Sequence, residues 1–218
     1  IELLQDMMYR PNVYPVLGEH EYMAKKVFPL LAEFSSTDEA HKKLQGENKE
    51  LFEKYGIEVD NLHAPFSNLN CMWRDGQDGD DYVEYLTECI TDTSDLHIPY
   101  IVMHPISGDS VPFSSKIGID RWRKLIDRAL AKNIKICFEN VEFSEMLGIV
   151  MEEFGNDVGF CYDTGHESTN DPGIHFVKLF GDRLTCTHIH DNYYGKDLHL
   201  FPFFGDTDWP SFMLALKE

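Results

Sequence analysis

Five short apolar runs in this sequence each end on a residue that can bind a metal ion or transfer a proton. The five end residues are His63, His104, Glu139, Asp163 and His188. Successive end residues lie about 25 to 40 residues apart, which is the length that a strand, a loop and a crossover helix need. Because the C-terminal ends of parallel strands meet at one edge, the five side chains are expected to converge there. The spacing therefore predicts consecutive βα units that carry an active site.

Asp163 shows this pattern most clearly. A strand-length apolar run starting at Val158 leads into it, and His166 follows three residues later across a glycine. A buried strand that ends in a carboxylate holds a metal ligand rigidly. The alternative is that Asp163 only caps the following helix. The recurrence of the same layout along the chain favours the metal interpretation.

The layout predicts an α/β protein with the (β/α)8 TIM barrel fold. We count six strands, the first at residues 1–5 and the last ending at His188, whereas a complete barrel has eight. The chain is therefore expected to lack the first and eighth strands, and residues 1–218 are interpreted as a single domain truncated at both ends. Ser144 is expected to cap its helix, and Leu130 to lie on an apolar helix face. Helices are predicted at residues 21–34, 37–55, 80–91, 119–132, 144–154, 176–180 and 211–218.

The composition excludes several classes of protein. The 218 residues include 43% apolar and 26% charged residues, which is typical of a soluble globular protein. The net charge of −19 repels phosphodiester backbones, so no nucleic-acid partner is expected. No apolar run is long enough for a membrane span, and no membrane partner is expected. Five cysteines without a C-x-x-C pair, and no signal peptide, predict reduced thiols and a cytoplasmic location.

Glu139, Asp163 and His188 end three successive predicted strands, so they can meet at one metal ion. Two carboxylates and one imidazole suit Mn2+, Mg2+, Co2+, Fe2+ or Zn2+, and without thiolates the set does not select one of them. His190 points to the same side as His188 on a strand, so it is either an alternative ligand or a supporting residue. The alternative for all of these residues is a contact within their own loops.

A further carboxylate and imidazole, Asp197 and His199, stand two residues apart in what is predicted to be the next loop. Alone, such a pair is more often a surface feature than a ligand pair. Trp73, Phe66 and Tyr194 are candidates for apolar walls around a bound ligand, and packing within the core or a loop is the alternative.

Taken together, these segments resemble the xylose isomerase-like TIM barrels. That superfamily includes sugar-phosphate isomerases and epimerases, tagatose-type ketose 3-epimerases, inosose dehydratases and apurinic endonuclease IV, of AP endonuclease family 2. The motifs that carry the resemblance are Leu62-His63-Ala64-Pro65-Phe66, Met103-His104-Pro105, Phe138-Glu139-Asn140-Val141, Asp163-Thr164-Gly165-His166, His188-Ile189-His190-Asp191-Asn192 and Asp197-Leu198-His199.

The resemblance implies roles for individual residues. Glu139, Asp163 and His188 would hold the shared metal with a glutamate expected beyond Glu218, and Glu139 would also be the catalytic group. Asp191, three residues after His188, fits the family's spacing. Tyr194 stands where ketose epimerases carry a substrate arginine, which departs from a tagatose-type substrate. The implied substrate-binding residues are His63, His104, Glu145, His166, Asp197 and His199.

The function implied is that of a divalent-metal-dependent isomerase or epimerase. It would act on a small sugar, sugar phosphate or polyol through an enediolate, with self-association into a homo-oligomer left open. One alternative is a metal phosphodiesterase like endonuclease IV, whose three-zinc ligand pattern is also matched. Another is a sugar-binding barrel that keeps the metal without catalysis. The net charge of −19 favours the sugar interpretation over the DNA one. The residues that match the three-zinc pattern are His63, His104, Glu139, Asp163, His166, His188, Asp197 and His199.

Overall fold

The computed structural model describes residues 59–108, 115–193 and 195–216. The strand predicted at residues 1–5 and the helices predicted at 21–34 and 37–55 lie outside these residues. The described part is built on one parallel sheet of five strands in sequential order, which is the arrangement of consecutive βα units in a barrel. The strands are β1 (Asn61–His63), β2 (Tyr100–Met103), β3 (Lys135–Glu139), β4 (Gly159–Asp163) and β5 (Leu184–His188).

The register of this sheet aligns the ends that the sequence predicts to be functional. Glu139 on β3 pairs with Cys161 on β4, and Asp163 on β4 pairs with His188 on β5. All five residues of β4 are buried, because helices cover the outer face of the sheet and the inner face carries its own apolar cluster. This is why the predicted strands consist almost entirely of apolar residues.

In the described part of the chain, six α-helices accompany the strands. The predicted ranges 144–154 and 176–180 are confirmed, and the helices predicted at 80–91, 119–132 and 211–218 differ from their predicted ranges by a few residues at their ends. The helix at Thr164–Asn170 had no predicted range. The helix predicted at 211–218 begins at Trp209, where Asp208 caps it by accepting a hydrogen bond from the Ser211 amide at 3.1 Å. The helices are α1 (Gln77–Asp95), α2 (Ser115–Ala131), α3 (Ser144–Phe154), α4 (Thr164–Asn170), α5 (Phe176–Phe180) and α6 (Trp209–Ala215).

The main core lies between the helices and the outer face of the sheet. Trp122 of α2 meets the Phe138 ring of β3 edge-on, with ring centroids 4.9 Å apart. Trp73 belongs to this core because it is fully buried and donates its indole hydrogen bond to the Pro105 carbonyl at 2.8 Å. Leu130 does not lie on the buried face of α2, since it is 38% exposed. The expectation for Leu130 was wrong.

The inner face of the sheet carries a second, smaller apolar cluster. It contains Val102 and three of the cysteines, one on each of β3, β4 and β5. All five cysteines are free, in agreement with the expectation of reduced thiols. No described helix is long and apolar enough to cross a membrane.

Two local predictions are corrected. The segment around Asp197 is not a loop, because Asp191–Tyr193 (β6) and Lys196–Leu200 (β7) pair as an antiparallel hairpin. A buried asparagine holds this hairpin in place, as described below. Ser144 does not cap α3, because it is the first helical residue and its hydroxyl donates to Asp171 at 2.9 Å.

Candidate metal centre

The strand ends bring together the residues predicted to form the site. Three of the five end residues are buried, Glu139 and Asp163 each to 1% exposure and His104 to 8%. The sheet fixes their positions, because each is the last residue of a strand or, for His104, the residue directly after one. The residues that end or follow strands here are His63, His104, Glu139, Asp163 and His188.

Glu139 lies at the centre of this group, with two imidazoles near each of its carboxylate oxygens. Oε2 is 3.0 Å from His63 Nε2 and 3.4 Å from His104 Nε2. Oε1 is 3.1 Å from both His166 Nδ1 and His188 Nδ1. One carboxylate surrounded by four imidazole nitrogens, each able to serve as a metal ligand, is an arrangement that can bind a cation.

The two oxygens of Asp163 have different surroundings. Oδ1 accepts a hydrogen bond from the His166 amide at 2.7 Å, so Asp163 does cap α4. Oδ2 lies 3.6 Å from His188 Nδ1 and 3.8 Å from His166 Nδ1. Capping and metal binding are therefore compatible here, since one oxygen serves the helix and the other faces the imidazoles.

The carboxylates and imidazoles of the centre shift one another's pKa values. Burial raises the pKa of Glu139, but hydrogen bonds from the four surrounding imidazoles outweigh it, and this pKa lies well below its usual range. Burial lowers the pKa of His166, yet Asp197 and Glu139 raise it to about 11. His188 also has a raised pKa, because Asp163 and Glu139 overcome the effect of burial. The buried carboxylates thus favour positive charge on the imidazoles beside them.

His104 has the opposite shift. Burial lowers its pKa, and this effect exceeds the stabilisation that its hydrogen bond with Glu139 gives to the charged form. Its ring is also stacked on Phe66, with centroids 4.3 Å apart and planes 18° apart. His104 is therefore a neutral imidazole at neutral pH, a form that can bind a metal ion or a hydroxyl group.

The hairpin adds a second group of donors beside the first. Asp197 Oδ2 is 3.6 Å from His166 Nε2 and 3.1 Å from His199 Nε2. His166 therefore faces Glu139 through Nδ1 and Asp197 through Nε2, which joins the two groups. Donor atoms of His166, His190, Asp197 and His199 all lie within 4.8 Å of one another.

Comparison with known proteins identifies the family of this fold. Residues 32–218 match the profile of the family described as xylose isomerase-like TIM barrel. The chain belongs to this family. Uncharacterized protein y4fM of Sinorhizobium fredii is 32% identical over 149 residues, which are 62% of this chain and 48% of that protein. The chain thus spans about half the length of this relative.

Solved structures of xylose isomerase-like TIM barrels confirm the fold. A D-tagatose 3-epimerase-like protein has a TM-score of 0.68 at 24% identity, covering 83% of this chain and 72% of the other. The IOLI protein with a bound zinc atom has a TM-score of 0.66 at 18% identity, covering 100% of this chain and 80% of the other. A D-allulose 3-epimerase and a 3-keto-D-glucoside 4-epimerase are also among the structural neighbours of this chain.

Not every residue suggested by the family resemblance reaches the centre. Glu145 is exposed in the first turn of α3, and its charge acts on Asp171, whose pKa is raised mainly by burial and also by Glu145. Among the described residues no hydrogen bond or ion pair joins Glu145 to the centre. Its role in substrate binding remains a prediction. Tyr194 lies outside the described residues.

Three buried residues that support the centre were not assigned this role from the sequence. Asn140 accepts the amide hydrogen of Asp163 at 2.7 Å and donates to its carbonyl at 2.8 Å. Asn192 holds the hairpin, and Asp191 accepts hydrogen bonds from the Gly205 amide and the Trp209 indole, both at 2.9 Å. Asp191 is thus an anchor for the loop before α6. For Asn140 the available signal was a polar residue directly after a ligand-bearing strand, whereas Asp191 and Asn192 lie three and four residues beyond His188.

One wall of the centre is a loop fixed at several points. Asn70 and the backbone of Ser107 exchange two hydrogen bonds, of 2.6 and 3.0 Å, which join the loops after β1 and β2. Tyr82 donates to the Pro65 carbonyl at 2.9 Å, next to Phe66. Phe66 is 45% exposed, so it presents an apolar surface beside His63 and His104 on a loop that is held on both sides.

Proposed function

We propose that this protein is a divalent-metal-dependent isomerase or epimerase of a small sugar, sugar phosphate or polyol. The observation that carries the proposal is the pair of buried carboxylates, Glu139 and Asp163, at 1% exposure among converging imidazoles. Burying two carboxylates is unfavourable unless cations compensate them, and a divalent metal ion does so better than protons alone. The sugar epimerases among the structural neighbours support the choice of substrate class.

The separations of His188 from the two carboxylates support one metal ion held by Glu139, Asp163 and His188. Ligand atoms that share a tetrahedral ion at about 2.0–2.2 Å lie about 3.3–3.6 Å from one another. His188 Nδ1 is 3.1 Å from Glu139 Oε1 and 3.6 Å from Asp163 Oδ2. A bound divalent ion would polarise a substrate carbonyl and stabilise negative charge on adjacent oxygens.

Other steps of the proposed reaction are assigned to individual residues. Glu139 is the candidate for proton transfer at the carbon next to the carbonyl, because its pKa keeps it ionised at neutral pH. Neutral His104 and the partly exposed His63 can hold substrate hydroxyls. Phe66 offers an apolar surface for the C–H face of a sugar. Asp197 and His199, on the hairpin side, would contact the far end of the substrate.

Hydrogen exchange with solvent tests this function. The protein is incubated in D2O with manganese and a panel of ketoses, ketose phosphates and inososes, and deuterium next to the carbonyl is measured. We expect metal-dependent incorporation into at least one compound, reduced about 10²–10⁴-fold in Glu139→Gln. Glu142→Gln makes the same change at an exposed position three residues away and should exchange at the rate of the unmodified protein. Binding without exchange would favour a non-catalytic sugar-binding barrel instead.

A second candidate function is a metal-dependent phosphodiesterase. The observation in its favour is the second donor group, His166, His190, Asp197 and His199, which could hold a further metal ion next to the first. The net charge of −19 opposes it, because a DNA duplex would be repelled. Incubation with a duplex that contains an abasic site decides between the two, and nicking that is lost in Glu139→Ala would favour this second function.

A further inference from the structure

His190 is buried beside the proposed metal centre and contacts one of its carboxylates. Its Nε2 lies 2.8 Å from Asp163 Oδ1 and 3.0 Å from Asp163 Oδ2. Its Nδ1 is buried and has no hydrogen-bond partner among the described residues. Asp163 is a carboxylate and needs a donor, so the hydrogen of the neutral His190 ring lies on Nε2. The atom left without a partner is then an Nδ1 lone pair, which is less costly to bury unpaired than an N–H group.

The His190 ring lies in a narrow space between Gly165 and His199, which we call its seat. One face rests on Gly165, where a Cβ atom would overlap the ring. The other face is stacked on His199, with centroids 4.0 Å apart and planes only 4° apart. The backbone is fixed as well, since the Thr164 hydroxyl accepts from the His190 amide at 3.0 Å and donates to its carbonyl at 2.7 Å. The ring is therefore held at a fixed height and orientation.

This seat determines which way Asp163 faces. Oδ1 is held by two donors, the His166 amide and His190 Nε2. Oδ2, which also contacts His190, points toward His188 at a separation too long for a hydrogen bond and suited to a shared cation. Without His190, Asp163 would keep only its helix-cap bond, and its carboxylate could rotate away from His188.

We propose that His190 is the positioning residue of the metal centre, which orients Asp163 for metal binding, and that Gly165 and His199 form its seat. The inference rests on the proposed metal centre at Glu139, Asp163 and His188. It assigns His190 to support of a ligand, which leaves His188 as the histidine ligand. It also gives Gly165 a specific reason to lack a side chain, because the space it leaves is filled by the His190 ring.

Manganese titration followed by electron paramagnetic resonance tests the proposal in the full chain. His190→Ala should weaken Mn2+ binding about 10–100-fold, the range for removing a residue that orients a ligand. His190→Gln should restore most of the affinity, because its amide nitrogen can reach the position of Nε2. Gly165→Ala keeps the histidine but removes its seat, so it should also weaken binding. His175→Ala, an exposed histidine outside the centre, is the matched control and should bind like the unmodified protein.

The two proposals fail in different ways. If the unmodified protein binds no Mn2+ and no other divalent ion of the proposed set, the metal centre itself is wrong and His190 has nothing to position. If the unmodified protein binds Mn2+ and His190→Ala binds it equally well, only the positioning role is overturned. If His190→Ala binds weakly and His190→Gln does not recover, His190 is a direct ligand or a packing residue, which also overturns it. Thermal unfolding in parallel separates packing from positioning, because His190→Gln should regain affinity whether or not it regains the melting temperature of the unmodified protein.

Discussion

The centre is built from two regions that hold their donors by different means. Glu139 and Asp163 end the buried strands β3 and β4, which pair with neighbours on both sides, and His188 ends the partly buried β5, which pairs with β4. Asp197 and His199 lie on β7, a hairpin strand whose first four residues are all exposed. The first region is held by the sheet and its core, and the second by a few polar contacts.

Asn192 supplies most of the contacts of the hairpin. Its side chain is buried, donates to the Gly165 carbonyl at 2.9 Å and the Thr169 hydroxyl at 2.8 Å, and lies 3.3 Å from Asp197 Oδ1. Its side-chain oxygen, Oδ1, accepts hydrogen bonds from the Leu198 and His199 amides at 2.6 and 3.1 Å. One donor group therefore depends on the whole sheet, whereas the other depends largely on one buried amide.

The largest effect is expected at the strand ends. Loss of a supporting residue lowers metal affinity about 10–100-fold. Asp163→Ala should have a larger effect, because it removes a ligand itself and the rigid strands cannot supply another. Elemental analysis of purified protein measures this. Asp157→Ala, which removes an exposed carboxylate from a surface ion pair with Arg123, should leave the metal content unchanged. Equal metal content in all three proteins would contradict the assignment.

The hairpin should respond mainly in stability. Asn192→Ala leaves the Leu198 and His199 amides without their acceptor, and we expect a loss of about 2–4 kcal/mol in the free energy of unfolding. Urea denaturation measures the loss, and amide hydrogen exchange should show faster opening of β7 while the strand-end metal is retained. Asn156→Ala, at an exposed position, is the control. Loss of metal together with the hairpin would show that the two regions are not separable.

The coupling between the regions should appear in the pH dependence of metal binding. His166, with a pKa of about 11, carries a proton at neutral pH when no metal is bound. A divalent ion bound at Glu139, Asp163 and His188 disfavours this neighbouring positive charge, so apparent affinity should rise with pH, by up to about tenfold per unit for each proton released. Calorimetry between pH 6 and 8, in buffers of different ionisation enthalpy, measures both quantities. An affinity that does not change over this range would contradict the prediction.

The metal-free protein should show the opposite trend in stability. Because the folded pKa of His166 lies above its unfolded value near 6.5, its contribution is fully present below that value and is lost as pH rises toward about 11. A bound divalent ion should weaken this dependence, because its charge next to Glu139 disfavours the protonated form of His166.

The smallest effect is expected from Asp197. Its side chain is 41% exposed, and pairs at such positions contribute only about 0–1 kcal/mol to stability. Asp197→Asn should therefore leave the unfolding free energy within about 1 kcal/mol and keep the strand-end metal. A large loss of stability would mean that the hairpin depends on this charge rather than on Asn192.

The sequence by itself determined the strand-end group. Burial on both faces makes the strands apolar, and the length of a crossover helix fixes their spacing, so local pattern alone predicted that Glu139, Asp163 and His188 end neighbouring strands. The same reasoning placed His63 and His104. It also predicted the barrel fold, which the family match confirms.

Only the tertiary structure decided how the remaining residues serve the centre. The contact of His190 with Asp163 joins residues 27 positions apart, and the bond of Asn192 to the Gly165 carbonyl also spans 27 positions. Hydrogen bonds of this kind leave no period in the sequence, since each needs one polar atom at one distance from a partner set by the fold. For the same reason Asp197 and His199 looked like loop residues until a hairpin held them beside His166, and Glu145 matched a family spacing although its side chain lies exposed on α3.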